Sequence, residues 1–208
     1  MDDASSLRMR VILIHGMGRT PRSMMLLGMR LKHAGFEVSS FGYDVRKTPL
    51  HEIADQFAMF VRRHAEHAEP FSVVTHSLGG VITRMASPVL PGLSRIVMLA
   101  PPNAPPRLAS LVQRHASAPY RFLFRDAGQQ LLDASFYARL PIPSAKTLVI
   151  AGDSGPRVHF AGAPNDAVVA VDETRLEGAE HHVMHTIHTL IMNDREVTRR
   201  TIAFLQRA

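Results

Sequence analysis

Short apolar runs that end at glycine or a polar turn alternate along this chain with longer stretches whose apolar residues recur every three or four positions. Residues 10–16 (RVILIHG) open the pattern as a buried strand ending at a glycine. Thr20 and Pro21 then supply a helix start, and the helix runs through MMLLGMRLKHA to Gly35. Residues 36–41 (FEVSSF) form a second strand. Thr48-Pro49 opens a helix that carries Ile53, Phe57, Phe60 and Val61 on one face. Residues 71–75 (FSVVT) make a third strand, and Ser77 turns directly into a helix bearing Val81, Ile82 and Met85. A fourth strand lies at 95–99, a fifth at 145–151 and a weaker sixth at 181–185, before a closing amphipathic helix at 194–206. Strand and helix alternating in this way predict an α/β fold: a single doubly wound, mostly parallel sheet of about six strands, with residues 1–208 as one domain. One interval breaks the rhythm. Residues 101–144, rich in proline (PPNAPP, then PIP), are too long for a plain connection. They are expected to hold a helix around 106–116 and an irregular excursion around 118–140, a short lid-like feature at about 117–143.

Composition narrows the chemistry. The 208 residues are 46% hydrophobic and 20% charged, which excludes a disordered chain. No apolar run reaches the roughly 18–20 residues of a membrane span, and the acidic-then-basic start MDDASSLRMR does not read as a secretory signal, so a cytoplasmic location is expected. The absence of cysteine excludes disulfides, iron–sulfur clusters, thiolate zinc sites and cysteine nucleophiles. The formal charge is +6, but the arginines are spread from Arg8 to Arg207, and aromatic residues are only 6% without tryptophan. Nucleic acid is therefore not an expected partner. The densest cluster, Arg195, Arg199 and Arg200, reads as a solvated helix face.

In parallel α/β sheets the active site lies beyond the carboxyl ends of the strands. After the third strand comes Thr75-His76-Ser77-Leu78-Gly79-Gly80. A serine at a sharp strand-to-helix turn is held in a strained conformation, with its hydroxyl pushed out of the sheet and a helix N-terminus behind it. After the first strand comes His15-Gly16-Met17-Gly18, a glycine-bearing loop able to offer a backbone N–H. An acyl-transfer enzyme needs such donors for its oxyanion, and the Met17 and Leu78 amides are the two expected here.

The segments VILIHGMG and VVTHSLGG closely resemble the α/β-hydrolase superfamily, and the later segments NDAVVAVDETRL and HTLIMNDREV resemble its small lipases and esterases with little or no cap domain. The resemblance covers nearly the whole chain and implies a minimal α/β-hydrolase fold. It also implies a triad in the order serine, acid, histidine. Ser77 matches the nucleophile, Asp166 the acid that precedes a Val-Val pair, and His188 the histidine just before Thr and an apolar pair. It implies cleavage of a small-molecule carboxylic ester with no metal or organic cofactor; thioester or amide hydrolysis, acyl transfer, or a catalytically silent binding fold are the alternatives. Asp153, directly after the fifth strand, is a second candidate acid, and Asp172 a third. Were residues 181–188 helical, His181, His185 and His188 would share a face able to hold zinc, but His182 stands where a zincin motif has glutamate, and the resemblance makes 181–185 a strand. His76 is expected to pack under the turn, and His15 to organise the oxyanion loop. Thr75 departs from the usual Gly-x-Ser-x-Gly and crowds the turn. Met17, Met24, Met25 and Met29 are either core filler or the wall of an acyl pocket.

Overall fold

The computed structural model describes residues 9–64, 70–108 and 127–207. Its strands are β1 (Arg10–Ile14), β2 (Glu37–Phe41), β3 (Phe71–His76), β4 (Leu93–Leu99), β5 (Lys146–Gly152) and β6 (Glu180–Met184). All pair in parallel, in the order β2-β1-β3-β4-β5-β6. The order reverses between β1 and β3, so the crevice at the carboxyl ends of this pair is the topological switch point. The helices are α1 (Met25–His33, entered through a 3-10 turn at Pro21–Met24), α2 (Leu50–His64), α3 (Leu78–Ala86), α4 (Ala134–Arg139) and α5 (Arg195–Leu205).

The period-2 geometry of a strand divides the core in two. Ile12 and Ile14 of β1 join Ile53, Phe57 and Val61 of α2 and Val81 and Ile82 of α3 on one face. Val11 and Leu13, pointing the other way, join Leu27 and Leu31 of α1 and Val197, Phe204 and Leu205 of α5. Helices thus cover both faces, as the alternation predicts. Side chains such as Phe57, Leu27 and Ile53 are wholly buried, each contributing about 1.5–3 kcal/mol. Asp194 caps α5 by accepting from the Glu196 and Val197 amides at 2.7 and 2.9 Å, a contribution of about 1 kcal/mol.

The observed strands agree with the sequence reading to within a residue or two. The interval between β4 and β5 differs. Where its described part was expected to be irregular, it contains a helical turn at 127–130 and then α4. Asp133 explains α4: its Oδ1 accepts the Ser135 amide at 2.8 Å as an N-cap. Leu131, Tyr137 and Leu140 bury against the α2–α3 core. Most of the helix expected at 106–116, and Tyr120, Phe122 and Phe124 of the lid-like excursion, lie outside the described residues.

Both ends of this interval meet at Arg84 of α3, which is 4% exposed. Its Nε and Nη2 donate to the Pro141 and Leu140 carbonyls, each at 3.0 Å, and Nη1 donates to Asn103 Oδ1 at 3.2 Å. The Asn103 side chain donates in turn to the Thr174 carbonyl at 2.8 Å.

Candidate active site

β3 runs straight into α3 through Ser77, whose φ of 51° and ψ of −122° are unusual for a residue with a side chain. Such a conformation costs on the order of 1–3 kcal/mol and persists only where the surroundings enforce it. They do: the Ser77 amide donates to the Leu99 carbonyl at 2.9 Å, its own carbonyl accepts from Gly80, and α3 packs tightly over the end of β1. A methyl group at Gly79 would lie 2.8 Å from the Ile14 carbonyl oxygen, so only glycine lets the helix approach this closely. The Ser77 side chain makes no capping hydrogen bond to the helix it precedes. The hydroxyl is thus not engaged as a simple N-cap. Thr75 fits fully buried, with Gly80 of α3 beside its hydroxyl, which takes no hydrogen bond.

The loop after β1 lies against this turn. A methyl at Gly16 would come 3.1 Å from Ser77 Cβ and 2.7 Å from His76 Nδ1. His15 organises the loop as expected: its Nδ1–H donates to the Gly16 carbonyl at 2.8 Å and its Nε2 accepts from the Tyr43 amide at 3.3 Å. These bonds fix a neutral tautomer, and burial pushes the imidazole below its ordinary pKa. Tyr43 stacks on His15 at 4.3 Å, nearly parallel, and its hydroxyl donates to the His15 carbonyl at 2.8 Å. Among the described residues the Met17 amide donates to no backbone group. Leu78 opens α3, so its N–H precedes the first intrahelical bond.

Asp166 and His188 meet across the loops that follow β5 and β6. His188 Nδ1–H donates to Asp166 Oδ2 at 2.7 Å, and the His188 amide donates to the Asp166 carbonyl at 2.8 Å. Asp166 is wholly buried and His188 is 7% exposed. The other carboxylate oxygen accepts from the Val168 and Val169 amides at 2.9 and 2.7 Å. The Val-Val pair after the acid therefore supplies amides as well as bulk. The loop is shaped by Asn165, also wholly buried, which donates to the Pro156 and Ala163 carbonyls and accepts the Ala167 amide. Gly152 makes the meeting of the two loops possible. A methyl there would sit 2.5 Å from the Thr186 carbonyl oxygen and 2.9 Å from Asp166 Cβ.

His76 ties this pair to the serine turn. Its Nε2–H donates to the His188 carbonyl at 3.0 Å, and the two rings lie 4.8 Å apart. Its Nδ1 is buried without a partner, so the ring is satisfied on one side only. Burial drives the imidazole well below its ordinary pKa, and the nearby charges of His188, Arg19 and His15 push the same way.

The structure brings Ser77, His188, Asp166, Met17 and Leu78 to one end of the sheet. The other candidates go elsewhere. Asp153 Oδ1 pairs with His185 Nδ1 at 3.1 Å, and Asp172 holds Arg107 in a two-point ion pair. β6 is a strand, and its histidines separate: His181 bonds the Thr174 hydroxyl at 2.8 Å, while His182 faces Arg200 at 3.4 Å. The shared helical face that zinc would need does not form. The four methionines also part company. Met24 is fully buried under the sheet, Met25 and Met29 are exposed on α1, and only Met17 borders the site. Tyr43 and Asn165 were missed in the sequence, where each reads as an ordinary turn residue.

A family model described as the alpha/beta hydrolase family matches residues 11–206. The chain belongs to this family. No curated protein matches it by sequence. Among solved structures it is similar to a lipase from Bacillus licheniformis in mature form (TM-score 0.81, 15% identity, 96% of this chain and 93% of that one). Of that lipase's propeptide form it spans 51%. It is also similar to a metagenome-derived lipolytic enzyme (TM-score 0.69, 17% identity, 97% and 94% covered). A third likeness is to a thioesterase domain from the curacin biosynthetic pathway (TM-score 0.62, 12% identity, 95% and 90% covered). At these identities the likeness is one of fold. Among the described residues no helix is long and apolar enough to cross a membrane.

Proposed function

We propose that this α/β hydrolase is a serine esterase that cleaves small-molecule carboxylic esters through Ser77, His188 and Asp166. The observation that carries the reading is the buried Asp166–His188 pair, tied through His76 to a strained serine whose hydroxyl caps nothing. With Nδ1–H committed to the carboxylate, His188 keeps its Nε2 lone pair free to act as a base. Ser77 Oγ attacks the ester carbonyl as His188 takes its proton. The Met17 and Leu78 amides stabilise the oxyanion. The tetrahedral intermediate collapses, His188 gives its proton to the leaving alcohol, and an acyl-enzyme remains. Water activated by His188 then releases the acid. Asp166 holds the imidazole in one tautomer and stabilises its charged form. The chemistry calls on no cofactor.

A fluorophosphonate probe tests this directly, since it labels only an activated serine. The wild-type protein should be labelled and should hydrolyse p-nitrophenyl esters, while Ser77→Ala, folded by circular dichroism, should do neither. Absence of labelling in the wild type would mean a silent fold used for binding. Labelling with turnover of thioesters but not oxygen esters would move the substrate class and leave the triad in place.

A further inference from the structure

A groove of about 400 Å³ opens beside the oxyanion loop, lined by Met17 to Thr20 after β1 and by Tyr43 to Arg46 after β2. Its floor is fixed, because Tyr43 is stacked on and bonded to His15. Three charged side chains line it, and two cancel. Arg46 Nε and Nη2 donate to the two Asp44 oxygens at 3.0 and 2.9 Å, and the Arg46 amide donates to Asp44 Oδ1 as well. The Arg46 hydrogen bonds hold the Asp44 carboxyl down to about 2.

Arg19 is different. It is half-buried, and although its amide donates to the Gly16 carbonyl at 3.2 Å, its guanidinium makes no hydrogen bond or ion pair among the described residues. Its charge is nevertheless felt at His76, the residue beside the serine. A guanidinium presents a rigid fork of donors matched to a carboxylate or phosphate. The groove thus carries one uncompensated positive charge, and it is lined also by Met17, whose amide the esterase reading gives to the oxyanion.

We propose that this groove receives an anionic group of the substrate, a carboxylate or a phosphate a few atoms from the scissile carbonyl, and that Arg19 pairs with it. The proposal rests on the esterase reading above and adds to it the class of ester preferred.

The test compares matched pairs of esters. One pair is the mono-p-nitrophenyl ester of glutaric acid against p-nitrophenyl valerate, which places the anion on the acyl side. The other is the butyryl ester of glycerol phosphate against that of glycerol, which places a phosphate on the alcohol side. Wild type should favour the charged member of at least one pair in kcat/KM. Arg19→Met should lower that charged-to-neutral ratio by about ten- to hundredfold, the value of one charged hydrogen-bonded contact, and Arg19→Lys should restore part of it. A ratio unmoved by Arg19→Met in both pairs, or a wild type that favours the neutral member of both, overturns the proposal. Fluorophosphonate labelling of Ser77 in the same samples separates the two failures: labelled protein with an unmoved ratio sinks only the groove, and unlabelled protein sinks the esterase reading on which it rests.

Discussion

Two aspartate–histidine pairs bridge the loops after β5 and β6, their histidines three residues apart in sequence and their acids thirteen. Asp166 and His188 are joined at 2.7 Å, with side chains 0% and 8% exposed, and are bonded a second time through the backbone. Asp153 and His185 are joined at 3.1 Å, with side chains 35% and 90% exposed, and among the described residues no other hydrogen bond orients the ring. Water screens the second pair, so its net value is on the order of 0–1 kcal/mol. The first is dry, and its carboxylate is already solvated by two amides before the imidazole arrives. Burial with satisfied hydrogen bonds turns the same two residue types from a surface contact into a fixed, oriented imidazole.

The largest effect that would test this contrast comes from Asp166→Asn. It should lower kcat on a p-nitrophenyl ester by on the order of 10⁴, as loss of the correct tautomer does in a serine protease. A loss no greater than that of Asp153→Asn would move the acid to the exposed pair. Next is Gly152→Ala, which pushes a methyl between the two loops. It should cost about 1–3 kcal/mol of stability in urea denaturation by overpacking. It should also lower kcat by about a hundredfold, the usual effect of displacing reacting groups by an ångström. Unchanged kinetics would show that the loops tolerate separation.

A third prediction concerns histidines buried without any carboxylate. His15 and His76 have folded pKa values below 6.5, chiefly through burial. Between those values and 6.5 the unfolded chain binds more protons than the folded one. The stability that neutral His15 and His76 contribute is therefore complete above about pH 6.5 and is lost as pH falls below it, by up to about 1.4 kcal/mol per pH unit for each ring. Urea midpoints measured from pH 7 to pH 5 should fall, and a flat profile would show that the rings are protonated in the fold. The smallest effect is that of Asp153→Asn, which should change kcat by less than about twofold and stability by less than about 0.5 kcal/mol.

The sheet was legible because strand and helix periods are local signals, and so was the serine turn, which packs its whole signature into six consecutive residues. That Asp166, and not Asp153, would meet His188 was legible only through resemblance to a family. Both acids lie between β5 and β6, Asp153 directly after β5 and Asp166 farther along the loop, and what separates them is which part of that loop folds inward. Tyr43, Asn165 and Arg84 left no such mark, since each acts on residues that are distant or turned toward it by the fold. The helix α4 was overlooked although Asp133 announces it. Met25 and Met29 carry the same letters as Met24, and only the rotation of α1 sends them outward.

The junction at Arg84 has a consequence for how this chain could be lengthened. One guanidinium on the helix that begins at Ser77 gathers the departing and returning ends of the β4–β5 interval, through Asn103 on one side and Leu140 and Pro141 on the other. Once a segment is closed at its base, its span matters little: doubling a flexible loop costs only about 0.6 kcal/mol in closure entropy. The molecule thus carries a graft point on the helix that follows the serine turn, where a longer covering segment or a folded module could be spliced without re-registering the sheet or moving that helix.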